Sequence, residues 1–218
     1  MAKRFDLLVF DWDGTLMDSA AHIAAALQAA FRDLALPVPS TAAARHVIGL
    51  GLEDAMMYLN PGLERSRYEE VADRYRVHFF AGDQGMELFP AVASGITALN
   101  QEGYLMAVAT GKSRRGLDRS LLATGLVPCF HASRCADEGF PKPHPEMLHR
   151  IMEMLGAVPD RTLMIGDTTH DLQMALNAGC PSLGVSYGAH EPSAFVTLKP
   201  LHVAHSVQDM YDWLLKNG

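Results

Sequence analysis

Side chains suited to phosphate chemistry occur at four separated places in the sequence: Asp11 with Asp13, then Thr110, then Lys142, then Asp167. Asp11 and Asp167 offer hard carboxylate oxygens, and magnesium in proteins takes one or two carboxylates together with waters and a substrate phosphate. The hydroxyl of Thr110 suits a phosphate oxygen, and a lysine adds a fixed positive charge. If these residues meet in space, they indicate metal-assisted chemistry on a small phosphorylated compound.

Three short apolar runs end just before members of this set. The runs at residues 5–10, 105–109 and 163–165 each lead into a turn that contains glycine, which predicts three buried strands. In open parallel sheets, ligands bind outside the carboxyl ends of the strands. The aspartates and the threonine are therefore expected along one rim, to which the loop FPKPHP could bring the lysine.

Strands alternate with helices over most of the chain. Apolar periodicity predicts helices at residues 19–35, 41–47, 52–60, 64–82, 113–124, 145–155, 169–178 and from 207 onward, and further strands at 182–186 and 202–204. Such alternation predicts an α/β fold whose mostly parallel sheet has helices on both faces. We expect no strand between residues 17 and 88, so this all-helical stretch indicates an insertion into that fold.

The charge and composition of the chain argue against some classes of binding partner. The 218 residues carry a formal net charge of −7, which gives no general attraction to nucleic acids or anionic membranes. Three cysteines without a CxxC pair argue against a disulfide framework or structural zinc site and favour a reducing cytoplasm. The apolar run before Asp11 is too short for a signal sequence, and no apolar segment approaches the roughly 20 residues that span a bilayer. We expect a cytoplasmic protein that binds neither nucleic acid nor membrane, with its oligomeric state left open.

Four motifs occur in the order known from one enzyme family. They are DWDGT at residues 11–15, ATG at 109–111, KP at 142–143, and GD at 166–167 followed by Asp171. Together they resemble the four motifs of the haloacid dehalogenase-like hydrolases, and the resemblance covers essentially the whole chain. It is strongest to phosphoglycolate-phosphatase-like members with a small helical cap. It implies a Rossmann-like catalytic core of residues 1–16 and 89–218 and a helical cap domain of residues 17–88.

The resemblance implies catalytic and metal-binding roles. Asp11 is the implied nucleophile, which forms an aspartyl-phosphate, and Asp13 is the implied general acid, which protonates the leaving alcohol and then activates water. The carboxylates of Asp11 and Asp167 and the backbone carbonyl of Asp13 are implied to hold Mg²⁺. An acid at position 13 favours phosphate-ester chemistry, because dehalogenase and phosphonatase members lack it.

The resemblance assigns the phosphoryl group to a second set of residues. Thr110, the backbone N–H at Gly111 and the ammonium of Lys142 are implied to hold it, and Lys142 also neutralises the nucleophile. Asp171 is implied to support the outer shell of the metal or Lys142. Lys112, directly after Gly111, is a modest variant of the usual motif.

Substrate contacts beyond the phosphoryl site have two interpretations. The loop that contains Gly49 and Gly51 resembles the cap loop that sets specificity in this family, and its glycines would let backbone approach a ligand. An ordinary turn between helices is the alternative. Arg45 could meet a second anionic group of the substrate, as could Arg114 and Arg115. Arginines of this kind are also common as solvated surface residues.

The sequence therefore predicts a Mg²⁺-dependent phosphatase for a small phosphorylated metabolite, with phosphoglycolate as the leading single compound. Other sugar phosphates, nucleoside monophosphates and pyrophosphate stay open as substrates. A sugar phosphomutase uses the same pair of aspartates and stays open as an alternative enzyme. A non-catalytic protein that binds a phosphorylated ligand is the alternative from another class, although no motif residue is lost here.

Overall fold

Six short parallel strands form one sheet in the computed structural model, which describes residues 3–82 and 86–218. The strands are β1 Leu7–Phe10, β2 Leu105–Thr110, β3 Ala132–Cys135, β4 Thr162–Gly166, β5 Ser182–Val185 and β6 His202–Ala204. Their order across the sheet is β3-β2-β1-β4-β5-β6. The chain thus winds outward from the centre in both directions, which leaves a crevice between β1 and β4 at the carboxyl edge.

Strand β1 lies at the centre of the sheet because all four of its side chains are apolar and buried. Phe10 is level with Val108 on β2 and with Ile165 on β4, so the residues that follow these three strands emerge together. Alternate side chains of β1 enter separate hydrophobic cores on the two faces of the sheet. Burial on both faces is typical of parallel strands.

Nine α-helices accompany the sheet in the part of the chain that the structure describes. They are α1 Ala20–Asp33, α2 Thr41–His46, α3 Leu52–Leu59, α4 Tyr68–Ala81, α5 Val92–Gln101, α6 Arg114–Thr124, α7 Glu146–Leu155, α8 Thr169–Ala178 and α9 Val207–Asn217. Helices α5, α6 and α9 cover one face of the sheet, and α7 and α8 cover the other. The expected α/β fold class is confirmed. Among the helices of the described residues, none combines the length and apolar character that crossing a membrane requires.

Helices α1 to α4 pack chiefly on one another. Phe31 of α1, Met56 of α3 and Val71 of α4 meet in a hydrophobic core of their own. Met17 and Leu88, where the chain leaves and rejoins the sheet region, form an antiparallel β-bridge, and the backbones beside them are hydrogen-bonded. An inserted helical unit needs a hydrophobic core of its own and two neighbouring chain segments that link it to the sheet region. Helices α1 to α4 have both.

The structure contains two elements that the sequence pattern does not predict, strand β3 and helix α5. Strand β3 has the sequence ASRC and lies at the edge of the sheet. Helix α5 contains Gly95, which lies so close to Tyr211 of α9 that a Cβ would be 2.0 Å from its ring. Boundaries also differ: β1 begins at Leu7 rather than at residue 5, and α4 begins at Tyr68 because residues 65–67 form a 3-10 turn.

Candidate active site

The carboxyl edge of the sheet gathers the chemically active residues that the sequence predicts. Asp11 directly follows β1, Thr110 ends β2, and Asp167 directly follows β4. Asp13 and Lys142 join them from loops, and all five residues are buried, with Asp13 the most exposed at 7%. One edge of the sheet therefore holds a polar centre.

Lys142 pairs with two carboxylates of this centre. Its Nζ donates to Asp11 Oδ1 at 2.7 Å and to Asp171 Oδ1 at 2.6 Å, and no part of the lysine is exposed. The other oxygen of Asp171 accepts hydrogen bonds from the backbone N–H and the hydroxyl of Thr168, the N-cap of α8. Asp171 thus holds Lys142 beside Asp11 and is itself held by the start of a helix.

Asp167 is hydrogen-bonded through both carboxylate oxygens. Thr15 Oγ1 donates to its Oδ1 at 2.7 Å, and the backbone N–H of Ala189 donates to its Oδ2 at 2.7 Å. A Cβ at Gly14 would lie 2.2 Å from this carboxylate, and one at Gly188 would lie 2.3 Å from it. Gly14 also has a φ of +83°, which glycine adopts readily. The orientation of Asp167 therefore depends on the loops after β1 and β5, which sequence reasoning did not connect.

Asp13 has two partners that sequence reasoning missed. Ser19 Oγ donates to Asp13 Oδ1 at 2.7 Å, and Lys112 Nζ lies 2.9 Å and 3.0 Å from the two carboxylate oxygens. Ser19 stands at the N-cap position of α1, but its hydroxyl caps nothing there and binds Asp13 instead. Lys112 is the variant residue after Thr110 and Gly111, and that variation is the sequence signal that could have marked it.

Asp11 differs from the other three carboxylates of the centre. Asp13, Asp167 and Asp171 each have both carboxylate oxygens hydrogen-bonded. Asp11 accepts from Lys142 through Oδ1, and among the described residues nothing donates to its Oδ2. Asp11 also lines a cavity, so the structure leaves this oxygen available to a ligand.

The buried charges of the centre do not balance. Asp11, Asp167 and Asp171 each present an oxygen within 4.8 Å of the others. Burial raises the pKa of Asp11 well above its usual range; Lys142 opposes the rise, and the two neighbouring carboxylates add to it. Burial also raises the pKa of Asp167 to about 7, with Asp171 adding to the rise. Burial alone would lower the pKa of Lys142, but Asp11 and Asp171 raise it above its usual value.

This excess of negative charge fits a divalent cation. Asp11 and Asp167 provide neighbouring hard carboxylate oxygens, the donor type that Mg²⁺ prefers. Asp171 is less available because one of its oxygens is paired with the Lys142 ammonium, whereas Asp167 accepts only from neutral donors, the Thr15 hydroxyl and the Ala189 backbone N–H. The residues present therefore fit a metal between Asp11 and Asp167, while Asp171 positions Lys142.

The glycine loop between α2 and α3 lies directly on the second and third motifs. A Cβ at Gly111 would come within 2.8 Å of Gly49, and a Cβ at Gly51 would come within 2.7 Å of Pro141. Leu50 forms an isolated parallel β-bridge with the lysine of the third motif. The loop and the motifs thus pack closely, and the glycines permit this because they have no side chain.

The chain matches known proteins over most of its length. A family model described as haloacid dehalogenase-like hydrolase matches residues 8–185. The chain belongs to the haloacid dehalogenase-like hydrolase family. It is 38% identical to "Probable phosphatase IndB" of Dickeya dadantii (strain 3937) over 200 residues, 89% of this chain and 86% of that relative. It is 30% identical to the "Phosphoglycolate phosphatase" of Vibrio vulnificus (strain YJ016), over 98% of this chain and 97% of the relative.

Solved structures agree with this membership in the haloacid dehalogenase-like hydrolases. The chain resembles a crystal structure titled as a predicted phosphoglycolate phosphatase from Haemophilus somnus 129pt, with a TM-score of 0.83, 25% identity and 99% of each chain covered. A hydrolase from Pseudomonas syringae has the same fold, with a TM-score of 0.88, 20% identity, and 96% of this chain and 97% of that chain covered. The resemblance seen in the sequence is confirmed, and the chain is a hydrolase of this family.

A cavity of about 400 Å³ opens from the polar centre of this haloacid dehalogenase-like hydrolase toward α1, α3 and α4. Asp11, Asp13 and Thr110 line one side of it, whereas Lys142 and Asp167 do not line it and are wholly buried. The other sides include residues from the glycine loop and the helices, among them Leu27, Gly49, Gly51, Met56, Tyr75 and Phe79. The polar centre and the helices therefore face one shared space.

The arginines considered for substrate binding are not among the residues that line this cavity. Arg45 binds two consecutive backbone carbonyls in the loop after β5, at 3.1 Å to that of Ala189. Arg114 pairs with Glu138 at 2.8 Å, and Arg115 is exposed. Helix α2 thus directs the Arg45 guanidinium to the loop after β5, whose backbone at Ala189 also donates to Asp167.

Three histidines meet beside the active centre. His46, His170 and His190 have ring nitrogens within 4.8 Å of one another. His170 and His190 both donate from Nε2 to the backbone carbonyl of His46, at 2.7 Å and 3.0 Å. The other ring nitrogen of His190 accepts from the backbone N–H of Thr169, so His190 has no free nitrogen for a metal. Burial lowers the pKa of His190 to about 4 and also lowers that of His170, so these rings are neutral hydrogen-bonding groups between α2 and α8.

Proposed function

We propose that this hydrolase is a Mg²⁺-dependent phosphatase that removes the phosphoryl group from a small phosphomonoester by way of a phosphorylated Asp11. The observation that carries the proposal is the oxygen Asp11 Oδ2, which has no partner among the described residues and belongs to a residue that lines the cavity beside Asp13. Relatives of the chain are named phosphatases, which supports hydrolysis of a phosphate ester.

In the first half of the reaction the phosphoryl group moves to the protein. A carboxylate oxygen of Asp11 attacks phosphorus opposite the leaving alcohol, and the bond from phosphorus to the alcohol oxygen breaks. Asp13 gives a proton to that oxygen, so the alcohol leaves neutral. Ser19 and Lys112 fix the direction of the Asp13 carboxyl group during this transfer.

In the second half of the reaction the phosphoryl group moves to water. Asp13, now ionised, takes a proton from a water molecule whose oxygen attacks phosphorus. The bond from phosphorus to Asp11 breaks, which releases inorganic phosphate and restores the free carboxylate. The same two residues therefore return to their starting protonation states after each cycle.

The phosphoryl oxygens have donors at the ends of β2 and of the third motif. Thr110 Oγ1 accepts a hydrogen bond from the backbone N–H of Lys112 at 3.2 Å, which leaves its own proton free to donate to phosphate. The backbone N–H at Gly111 adds a second donor beside the start of α6. Lys142 offsets the charge of Asp11 and of the phosphoryl group, and Asp171 positions it.

The metal ion would be held by the carboxylates of Asp11 and Asp167 and by the backbone carbonyl of Asp13. When bound, Mg²⁺ offsets the repulsion between these carboxylates and the substrate phosphate and withdraws charge from the phosphoryl oxygens. The support for this assignment is the surplus of buried carboxylates over lysines in the centre.

We assign residues 1–16 and 89–218 to the catalytic core and residues 17–88 to a cap over it. The separate hydrophobic core of α1 to α4 supports this division. Gly49 and Gly51 line the cavity from the cap side and approach the substrate through their backbone. Closure of such a cap excludes bulk water during the transfer. Phosphoglycolate is the leading single compound on resemblance, because relatives at about 30% identity carry its name.

The test of this function compares wild type with Asp11→Asn. Phosphate release from a panel of phosphomonoesters is measured for both proteins, with and without Mg²⁺. We expect release by wild type only, and only with the metal. Asp212→Asn, on the exposed side of α9, is the matched control and keeps wild-type activity. Retained release by Asp11→Asn would overturn the proposal. Consumption of substrate without free phosphate would identify a phosphomutase, and binding without turnover a non-catalytic protein.

A further inference from the structure

Aromatic side chains form one wall of the cavity. Helix α4 contributes Tyr75, Phe79 and Phe80 to its lining. Lys112 Nζ links the two sides, because it lies 2.9 Å from Asp13 and 4.9 Å from the centre of the Phe79 ring. The Phe79 ring centre is 5.6 Å from that of Tyr75 and 5.6 Å from that of Phe80. The aromatic wall therefore begins next to the proposed general acid and continues away from it.

Phe80 is 43% exposed although it lines the cavity. The guanidinium of Arg119, on α6, lies over its ring at 5.1 Å from the centre. The position of Phe79 is explained by the packing of α4 on α1, because its ring centre lies 5.2 Å from that of His22. Such packing does not explain a large, partly exposed ring in the lining of a cavity. The Phe80 ring is therefore accessible to a ligand.

The charged residues of the lining are poorly suited to a second anionic group. Lys112 already pairs with Asp13, and Arg76 pairs with Asp73 at 2.6 Å. Arg119 lies over an aromatic ring and has a further interaction. A two-carbon acid such as phosphoglycolate carries a carboxylate that seeks a cation of its own. A cavity of about 400 Å³ falls in the range of about 300–1,000 Å³ that is typical of much larger organic ligands.

Tyr75 adds one polar group to the aromatic wall. Its hydroxyl has no hydrogen-bond partner in residues 3–82 and 86–218, the part of the chain that the structure describes. Burial raises the pKa of Tyr75, and the negative charge of Asp13 raises it further. The hydroxyl therefore keeps its proton and can donate it to a ligand oxygen near the site of phosphoryl transfer.

We propose that the alcohol of the substrate carries an aromatic ring of about nucleobase size, which stacks on Phe80 while the phosphoryl group lies at Asp11. This inference rests on the proposed phosphatase chemistry and deepens it by naming a substrate class for the same site, one that takes the place of phosphoglycolate as the leading candidate. Stacking selects for an aromatic face without reading a particular ring, because every base has a π-face. The Tyr75 hydroxyl donates to an oxygen of the group that links phosphate and ring.

Matched substrates test the inference. Adenosine and cytidine 5′-monophosphates are compared with ribose 5-phosphate, which lacks the base, and with phosphoglycolate. We expect wild type with Mg²⁺ to give kcat/KM about tenfold higher for a nucleotide than for ribose 5-phosphate, the order of effect of one stacked base. Phe80→Ala is expected to remove most of that preference. Val77→Ala, also exposed on α4, is the control and keeps the preference. Equal or better use of ribose 5-phosphate or phosphoglycolate by wild type would overturn the inference.

Binding measurements separate this inference from the proposed function. Dissociation constants for the same four compounds are measured by calorimetry on Asp11→Asn protein with Mg²⁺. Tighter binding of the nucleotides, with no phosphate release by wild type, would overturn the proposed phosphatase and retain the stacking wall. Phosphate release by wild type, with equal dissociation constants for nucleotides and ribose 5-phosphate, would overturn the stacking wall and retain the phosphatase.

Discussion

The two sides of the cavity are built differently. On the side of the sheet, three of four carboxylates are hydrogen-bonded through both oxygens, and one buried lysine bridges Asp11 and Asp171. On the side of the helices, the lining is largely apolar, and the Tyr75 hydroxyl on α4 has no hydrogen-bond partner among the described residues. Directional contacts fix a reaction centre, whereas an apolar wall discriminates by size and shape. The chemistry is therefore assigned to the strand ends, and the choice of substrate to the helices.

The largest effect is expected from Lys142→Met, which removes the cation from the sheet side of the cavity. Two buried carboxylates lose their partner, so the free energy of unfolding should fall by about 3–5 kcal/mol. Phosphate release should fall for all substrates alike. Denaturant unfolding without Mg²⁺ measures the first effect, with the exposed substitution Lys216→Met as the control. A loss under about 1 kcal/mol would show that the pairing is not essential to this side of the cavity.

Mg²⁺ affinity should be at least about tenfold weaker at pH 6 than at pH 8. Burial raises the pKa of Asp167 to about 7 in the metal-free protein, so at pH 6 the ion must displace a proton from this carboxyl group. Calorimetry in two buffers of different ionisation enthalpy gives both the affinity and the number of protons released. The same affinity at both pH values, without proton release, would remove Asp167 from the metal site.

Lys112→Met is expected to lower kcat by about tenfold for an alkyl phosphate and less for p-nitrophenyl phosphate. Lys112 holds the carboxylate of Asp13, and only a poor leaving group depends on a well-placed general acid. The two substrates are compared at saturating concentration with Mg²⁺. Equal losses for both leaving groups would mean that Lys112 contributes through phosphate binding rather than by positioning the acid.

The smallest effect is expected from Tyr75→Phe, which changes the helix side alone. One neutral hydrogen bond to the substrate is lost, so kcat/KM for a nucleotide should fall about fivefold. The change should lie in KM, because the carboxylates on the sheet side keep their contacts. Tyr58→Phe, at an exposed position of α3, is the matched control. A change confined to kcat would place Tyr75 in the chemical step and would weaken the division between the two sides.

The strand ends of the site could be predicted from the sequence, but the partners of the site residues could not. Asp11, Thr110 and Asp167 follow or end apolar runs that only a buried sheet accommodates, and parallel strands align their ends. Lys112 reaches Asp13 across 99 positions, and the hydroxyl that binds Asp167 is 152 positions away from it. Contacts of that kind depend on the placement of loops, about which local periodicity carries no information.

Two errors in the predicted elements have a similar origin in tertiary contacts. Strand β3 has two partly exposed residues among four and pairs only with β2 at the sheet edge, so it lacks an apolar run. Helix α5 contains Gly95, an unfavourable helix residue whose missing side chain makes room for the ring of Tyr211. The guanidinium of Arg45 is suited to binding an anion, but its position on α2 directs it to backbone carbonyls.

The central assignment, a covalent phosphoryl group on Asp11, is tested most directly by acid quench during turnover followed by peptide mass spectrometry. We expect wild type with Mg²⁺ to carry the phosphoryl group on the peptide that contains Asp11, and Asp11→Asn to carry none. A phosphoryl group on another residue, or turnover at the wild-type rate by Asp11→Asn, would contradict the assignment.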